Sequence, residues 1–200
     1  MKTLEAVRKH LKPGQVYRRA DLEKWSRAVD RHLHQLVAEG TLEKLSPGVY
    51  HYPQKSAFGC MPPDDETLVR TFLKDDRFLL TSPNAYNALG VGTTQLYNER
   101  VVYNHKRHGL FKLGGRTFYF RMKPFFPKYL SPEFLLVDLV NNLNSLDEDR
   151  EAVLNRVKEK ALSMDRKSLR RTVGEYAGAR ARKFFDMTLD GDTLRHISEL

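Results

Sequence analysis

Side chains that can read nucleic-acid bases are concentrated on one face of a predicted helix in the first quarter of the chain. That polar face carries Arg27, Asp30, Arg31, His34 and Gln35. Arg27 and Arg31 lie one helical turn apart near the helix N-terminus, and arginine suits bidentate hydrogen bonding to guanine. Gln35 suits adenine, and Asp30 can either accept from a cytosine amine or hold Arg27 in place. The face therefore predicts contact with base edges in the major groove of double-stranded DNA.

A second group of polar residues lies where it could bind phosphates, which position a protein on DNA without reading sequence. The basic members are Arg18, Arg19, Lys24 and Lys44. Ser46 and Gly48 belong to the turn of a predicted β-hairpin whose tip would lie along the DNA backbone. Ser26 is the expected N-cap of the base-reading helix. These residues complete the predicted DNA-contacting set.

The other reactive side chains form no recognisable catalytic or metal site. His105-Lys106-Arg107-His108 has two cations between its histidines and no nearby carboxylate ligand. Gly90-Val91-Gly92 has neither a third glycine nor a following Walker lysine. Arg121-Met122-Lys123 lacks the acid that nucleases place before such a lysine, and Cys60 has no positioned histidine nearby in the sequence. We therefore expect no catalytic residue, no metal and no cofactor.

The elements that would position the DNA-contacting residues follow the plan of a winged helix-turn-helix over residues 1–54. Short helices are predicted at residues 4–11, 20–25 and 27–39, and a hairpin is predicted to pair residues 41–45 with 49–52. In the third helix, apolar residues recur at i, i+4, i+7 and i+8 from Val29 to Val37, which predicts one buried stripe. Ser46-Pro47-Gly48 has the composition of a turn between the two strands.

A second domain is predicted for residues 57–189, after a polar linker at Gln54-Lys55-Ser56. Helices are expected at residues 64–74, 82–89 and 132–144, and strands at 77–80, 99–104, 109–113 and 116–121. Residues 146–189 form a helical subregion in this prediction, and residues 190–200 form a tail. The predicted fold class is therefore α+β: an N-terminal winged helix-turn-helix followed by a mixed α/β domain that ends in a helical segment.

Charge and composition narrow the class of protein. The 200 residues contain 34 Lys and Arg against 25 Asp and Glu, a net charge of +9. The first 56 residues alone contribute 11 − 6 = +5, which favours a polyanionic partner for this part of the chain. The longest apolar run, Phe134–Val137, is too short to span a membrane. With one cysteine and no signal-peptide pattern, the sequence predicts a cytoplasmic protein with no membrane partner.

Two segments stand out: residues 34–50, which end in Ser46-Pro47-Gly48-Val49-Tyr50, and residues 84–95, which contain Leu89-Gly90-Val91-Gly92. The first resembles the end of the winged helix in AbiEi-type antitoxins of bacterial toxin–antitoxin systems, and the second resembles the start of their second domain. The Tyr103-Asn104 strand and the Tyr176–Leu189 helix fit the same pattern. The resemblance implies an antitoxin whose N-terminal domain represses its own operon by binding operator DNA, and whose larger C-terminal domain counters a nucleotidyltransferase-like toxin. It assigns operator contact to Arg27, Arg31, His34 and the Lys44–Gly48 wing.

Several alternatives remain open. Solitary regulators share the winged helix and much of the second domain without an established toxin partner, and such a second domain could bind a small ligand. A hydrolase or nuclease with a winged-helix targeting domain would use the scattered acids and histidines of the central region. The basic helix face could also be a solvated surface, or the winged helix could serve as a docking module for protein.

Overall fold

The computed structural model describes residues 3–57 and 59–198 and shows an α+β protein, as the sequence predicts. The chain divides into two compact units. Unit 1 comprises the residues up to 78 together with 105–122, and unit 2 comprises 79–104 together with the residues from 123 onward. Residues 57–78 and 105–122, which the sequence assigned to the second domain, thus lie with the N-terminal elements. The described residues contain no helix that is both long and apolar enough to cross a membrane.

Unit 1 begins with three helices and a small antiparallel sheet. Its elements are α1 (Leu4–His10), β1 (Val16–Arg18), α2 (Arg19–Leu22), a 3₁₀ turn (Glu23–Trp25), α3 (Val29–Ala38), β2 (Glu43–Ser46) and β3 (Val49–His51). Thr3 caps α1 by accepting a hydrogen bond from the Ala6 amide. The helices enclose one apolar cluster, formed by Val7, Leu11, Leu22, Val29, Leu33, Leu36 and Leu42. The 3.6-residue period of α3 is the reason that its apolar positions share this core.

The start of α3 differs from the prediction. The helix begins at Val29, its N-cap is Ala28, and no side chain caps it. The prediction that Ser26 is the N-cap is therefore wrong, because the Ser26 hydroxyl lies two residues too early. It instead accepts from the Ala28 amide at 3.1 Å and lies 2.8 Å from the His32 ring. Arg27 consequently precedes the helix instead of occupying its first turn.

The three-stranded sheet has the order β1-β3-β2, with both pairs antiparallel. Glu43 faces His51 and Lys44 faces Tyr50, after which a bulge shifts the register so that Ser46 faces Val49. Pro47 and Gly48 make the connecting turn, in which Gly48 has φ = +74°, a conformation that glycine adopts at little steric cost. The predicted hairpin is confirmed.

The rest of unit 1 consists of two further hairpins and a helix. The hairpins are β4 (Gln54–Ser56) with β5 (Gly59–Met61) and β8 (Gly109–Leu113) with β9 (Arg116–Met122), and the helix is α4 (Asp65–Leu73). Residues 54–56 pair with residues 59–61 as strands, so the predicted linker is wrong. Phe72 of α4 packs against Phe111 and Phe120 at ring-centroid distances of 5.1 and 5.3 Å, which fastens the β8–β9 hairpin to α4.

Unit 2 is mostly helical. It contains β6 (Phe78–Thr81, starting at the unit boundary), a 3₁₀ segment (Pro83–Leu89), β7 (Arg100–Asn104), α5 (Pro132–Asn142), α6 (Arg150–Ser163), α7 (Arg166–Tyr176) and α8 (Ala179–Ser198). A large core joins α5 to the last three helices and includes Leu136, Val137, Leu139, Val157, Leu169 and Phe185. The expected helix at 82–89 is a 3₁₀ segment. Helix α8 continues through residues 190–198, where a tail was predicted, and residues 199–200 lie outside the described residues.

Candidate nucleic-acid interface

Helix α3 presents an exposed polar face opposite its buried stripe. Asp30, Arg31, His34 and Gln35 are exposed, whereas Val29, His32, Leu33 and Leu36 are buried. Arg31 forms no ion pair with any residue that the structure describes. Gln35 donates to Glu39 at 2.9 Å, a bond within the exposed surface of the same helix. The face therefore offers an uncommitted guanidinium beside an imidazole and a carboxamide, which are hydrogen-bonding groups suited to base edges.

Asp30 is held by Arg19 of α2, and not by Arg27. The Nε and Nη2 atoms of Arg19 each donate to a different carboxylate oxygen of Asp30, both at 2.7 Å. Glu23 accepts from the same guanidinium at 3.3 Å. The hydrogen bonds from Arg19 hold the pKa of Asp30 below its usual value, and Asp30 in turn raises the pKa of Arg19. The bidentate pair connects α2 to α3 and neutralises the one carboxylate on the predicted DNA-contacting face.

Arg18 is also engaged within the protein. Its guanidinium donates to both oxygens of Asp21 at 2.8 and 3.0 Å, and both side chains are partly buried. Arg18 and Arg19, predicted to bind phosphates, are thus paired with acids in this structure. Arg27 and Lys44 are exposed, and within the described part of the chain neither forms an ion pair. These two remain available as positive charges beside α3 and on the β2–β3 hairpin.

The tip of the β2–β3 hairpin is fixed to α2. The amide of Arg19 donates to the carbonyl oxygen of Gly48 at 2.9 Å. The Ser46 hydroxyl is buried and has no hydrogen-bond partner among the residues that the structure describes. Lys44 is exposed to solvent on the same strand. The turn is therefore held in one position relative to α2, with Lys44 as its exposed cation.

Two buried polar residues behind this face, His32 and His51, were missed from the sequence, and Ser26, which was predicted to contact DNA, is buried as well. Ser26 and His32 are 3% and 7% exposed and bond to each other, so the Ser26 hydroxyl lies inside the protein. His32 falls between Val29 and Leu33 on the buried stripe, a position that could have indicated its burial. His51 in the central strand is 1% exposed, and neither ring nitrogen has a hydrogen-bond partner among the described residues. Burial lowers its pKa, against a weaker opposing effect of Glu43, 3.8 Å away.

Unit 2 contains a buried polar network centred on Asp138 of α5. The carboxylate is 1% exposed and accepts from Tyr86 at 2.7 Å, from Tyr103 at 2.8 Å and from the Lys123 ammonium at 3.1 Å. Asn142 donates to both tyrosine oxygens at 3.2 Å. Burial, and then the nearby carboxylate, raise the pKa of Tyr86 well above its usual value. The tyrosine therefore stays protonated and acts as a donor to Asp138.

The carboxylate that pairs with Lys123 is Asp138 of α5, which lies 15 residues further along the chain. The Asp138 side chain is enclosed by protein, and its carboxylate oxygens accept hydrogen bonds from Tyr86, Tyr103 and Lys123. An arrangement of this kind connects the 3₁₀ segment, β7, the residue after β9 and α5. It is suited to holding those elements together.

The remaining candidate residues are separated or have structural partners. His105 and His108 are not part of a metal-binding group, since the described residues include no cluster of three or more metal-ligating side chains. Cys60 is exposed and not in a disulfide. Asp64 caps α4 through the Thr67 amide at 2.8 Å, and Asp65 pairs with Arg116. These acids stabilise helix α4 and its contact with β9, instead of converging on one point.

Comparison with known proteins identifies a family but no characterised relative. The model of the family described as "Family of unknown function (DUF6088)" matches residues 4–171. No curated protein matches the chain, and no solved structure matches it. The matched segment covers α1 to the middle of α7, and so includes both the α3 face and the Asp138 network. The chain therefore belongs to the DUF6088 family of proteins of unknown function.

Proposed function

We propose that residues 3–52 form a winged helix-turn-helix that binds double-stranded DNA, with α3 as the recognition helix and the β2–β3 hairpin as the wing. The observation that carries the proposal is the exposed polar face of α3, opposite its buried stripe. Three helices followed by a two-stranded hairpin, with β1 as a third strand, are the elements that such a domain requires.

The ion pairs refine which residues would contact DNA. Arg31, His34 and Gln35 are the base-reading candidates, and Arg27 and Lys44 are the phosphate-binding candidates. In this proposal Arg18 and Arg19 do not contact DNA. Arg18 pairs with Asp21. The Arg19 guanidinium orients α3 through Asp30, and the Arg19 amide holds the wing tip by donating to the Gly48 carbonyl oxygen. Neutralising Asp30 also lowers the repulsion between that carboxylate and a phosphate.

We further propose that the protein is the antitoxin of a bacterial toxin–antitoxin pair that represses its own operon. The support is the resemblance of residues 34–50 and 84–95 to AbiEi-type antitoxins. In this proposal unit 2 and the remaining elements counter a nucleotidyltransferase-like toxin encoded beside the gene. The proposal includes no catalytic residue, metal or cofactor in this chain.

The first experiment measures binding of the full-length chain to the duplex immediately upstream of its own gene. A shuffled duplex of equal length serves as the reference, over about 50 to 200 mM salt, where counterion release has a large effect. A specific repressor should prefer the upstream duplex by roughly 10³-fold or more. Arg31→Ala should weaken that binding by about 1–3 kcal/mol. Arg180→Ala, which removes an exposed arginine from α8, should leave it unchanged.

Equal and steeply salt-dependent binding to both duplexes would contradict a sequence-specific repressor. The toxin arm is tested separately, by expressing the adjacent gene with and without this chain and measuring growth. If the adjacent gene is harmless by itself, the antitoxin proposal fails while the DNA-binding proposal stands.

A further inference from the structure

The β8–β9 hairpin carries a second basic surface that the DNA-binding proposal does not use. Residues 105–122 contain five Lys and Arg residues, two His and no Asp or Glu. Three of these cations contact other parts of unit 1: Lys106 lies 3.1 Å from Asp75, Arg116 pairs with Asp65, and the Arg107 guanidinium lies 4.6 Å from the centre of the Phe72 ring. Lys112 and Arg121 lie on the two strands of the hairpin, whose sequence contains no carboxylate to compete with a polyanion.

The strand register divides this hairpin into two faces. Phe111, Phe118 and Phe120 point inward, and Phe118 and Phe120 are fully buried. The outer face places Lys112 opposite Thr117 and Leu110 opposite Tyr119. Successive outward positions on a strand lie about 7 Å apart, so the cation and the ring occupy neighbouring rows.

The centre of the outer face is aromatic and apolar. Leu110 is 70% exposed, which is unusual for a leucine on a sheet. The guanidinium of Arg121 lies 4.6 Å from the centre of the Tyr119 ring, and the ring of His108 meets Tyr119 edge-on at 6.0 Å. The face thus combines a half-buried aromatic ring, an exposed apolar side chain and cations on both sides.

We propose that this outer face of the β8–β9 hairpin binds single-stranded nucleic acid. An unpaired base would pack on Tyr119 and Leu110, and the adjoining phosphates would meet Lys112 and Arg121. Aromatic rings interleaved with cations recognise single strands because every base has a π-face and every nucleotide a phosphate. A duplex buries its base faces and would leave Leu110 without a partner. An acidic protein is a weaker fit, because its carboxylates would pair with the cations but would offer no flat ring to stack on Tyr119.

The test uses the full-length chain and a fluorescently labelled oligothymidylate of about 20 nucleotides, with anisotropy as the readout. Tyr119→Leu keeps an apolar side chain, though a smaller one, and removes the π-face, so we expect Kd to rise about tenfold, while Tyr119→Phe should bind as the unmodified chain does. Lys112→Gln should reduce the slope of log K against log salt by about 0.7, the value for one phosphate contact on a single strand. Lys158→Gln, which removes an exposed lysine from α6, is the matched control.

The upstream duplex is measured in parallel, so that this proposal and the DNA-binding proposal can fail separately. Arg31→Ala should affect the duplex and not the single strand. Thermal denaturation midpoints of the variants confirm that each is folded. Unchanged single-strand binding by both Tyr119→Leu and Lys112→Gln would overturn the proposal. Weak binding of the oligothymidylate, with tight binding of a poly-glutamate peptide that Lys112→Gln reduces, would overturn it in favour of an acidic protein partner.

Discussion

Replacing Asp138 by alanine should destabilise unit 2 more than any other single polar substitution in the Asp138 network. The change leaves the Lys123 ammonium without its carboxylate and removes the acceptor of both Tyr86 and Tyr103. Breaking a buried ion pair by removing one partner costs about 3–5 kcal/mol. Lys123 retains 27% of its side-chain exposure and can reach water, whereas the two tyrosines are almost fully buried. We therefore expect a loss of about 4 kcal/mol, a large fraction of the stability of an ordinary domain.

The assay is urea denaturation of the full-length chain followed by far-ultraviolet circular dichroism. Asp138→Asn keeps one acceptor oxygen and should cost about half as much as alanine. Tyr86→Phe should cost about 1 kcal/mol by itself. In the Asp138→Ala background the same change should be neutral or stabilising, because it removes a buried hydroxyl that has lost its acceptor. A cost below about 1 kcal/mol for Asp138→Ala, or an equal cost of Tyr86→Phe in both backgrounds, would refute this reasoning.

Three further predictions concern unit 1. Burial lowers the pKa of His51 in the folded state. Its contribution to the free energy of unfolding should therefore be complete above the unfolded pKa of about 6.5 and should decline as the pH falls below that value. Urea midpoints at several pH values should show this decline, and the decline should be smaller in His51→Leu. Asp30→Asn removes a carboxylate and releases Arg19, so non-specific duplex binding should tighten and its salt slope should steepen by about one; an unchanged slope would count against α3 as the DNA-facing helix. Asp64→Ala removes the N-cap of α4 and should cost about 1 kcal/mol, measured by urea denaturation, whereas Asp64→Ser should restore most of the loss.

The elements predicted well are those whose period is visible in a short window. The stripe of α3 and the strand predicted at residues 116–121 each lie within about a dozen residues, and the structure confirms both. The start of α3 was mispredicted because serine is a residue type that commonly caps helices. In the structure the Ser26 hydroxyl bonds to the His32 ring, and the N-cap is Ala28. Three polar residues, 54–56, form a strand because they pair with residues 59–61, and no periodicity can show a strand so short.

The polar pairs of both units join residues that lie far apart in the sequence. Asp138 lies 52 residues from Tyr86 and 35 from Tyr103, so the network has no local signal beyond one acid in an apolar helix. The same holds for the engagement of Arg19 by Asp30, 11 residues away. Sequence composition identifies which residue types could form a basic surface. It cannot distinguish the arginines that are exposed from those that are already paired.

The order in which unit 1 is completed has a consequence for synthesis on the ribosome. Helix α4 is made early, but the aromatic side chains that cover Phe72 belong to the hairpin at residues 109–122. At a translation rate of about 5–20 residues per second, roughly 3 to 10 s pass between the synthesis of α4 and the synthesis of that hairpin. During this interval Phe72 lacks its two aromatic neighbours. A fragment that stops before residue 105 would lack them permanently, so we expect it to aggregate more readily than the full-length chain.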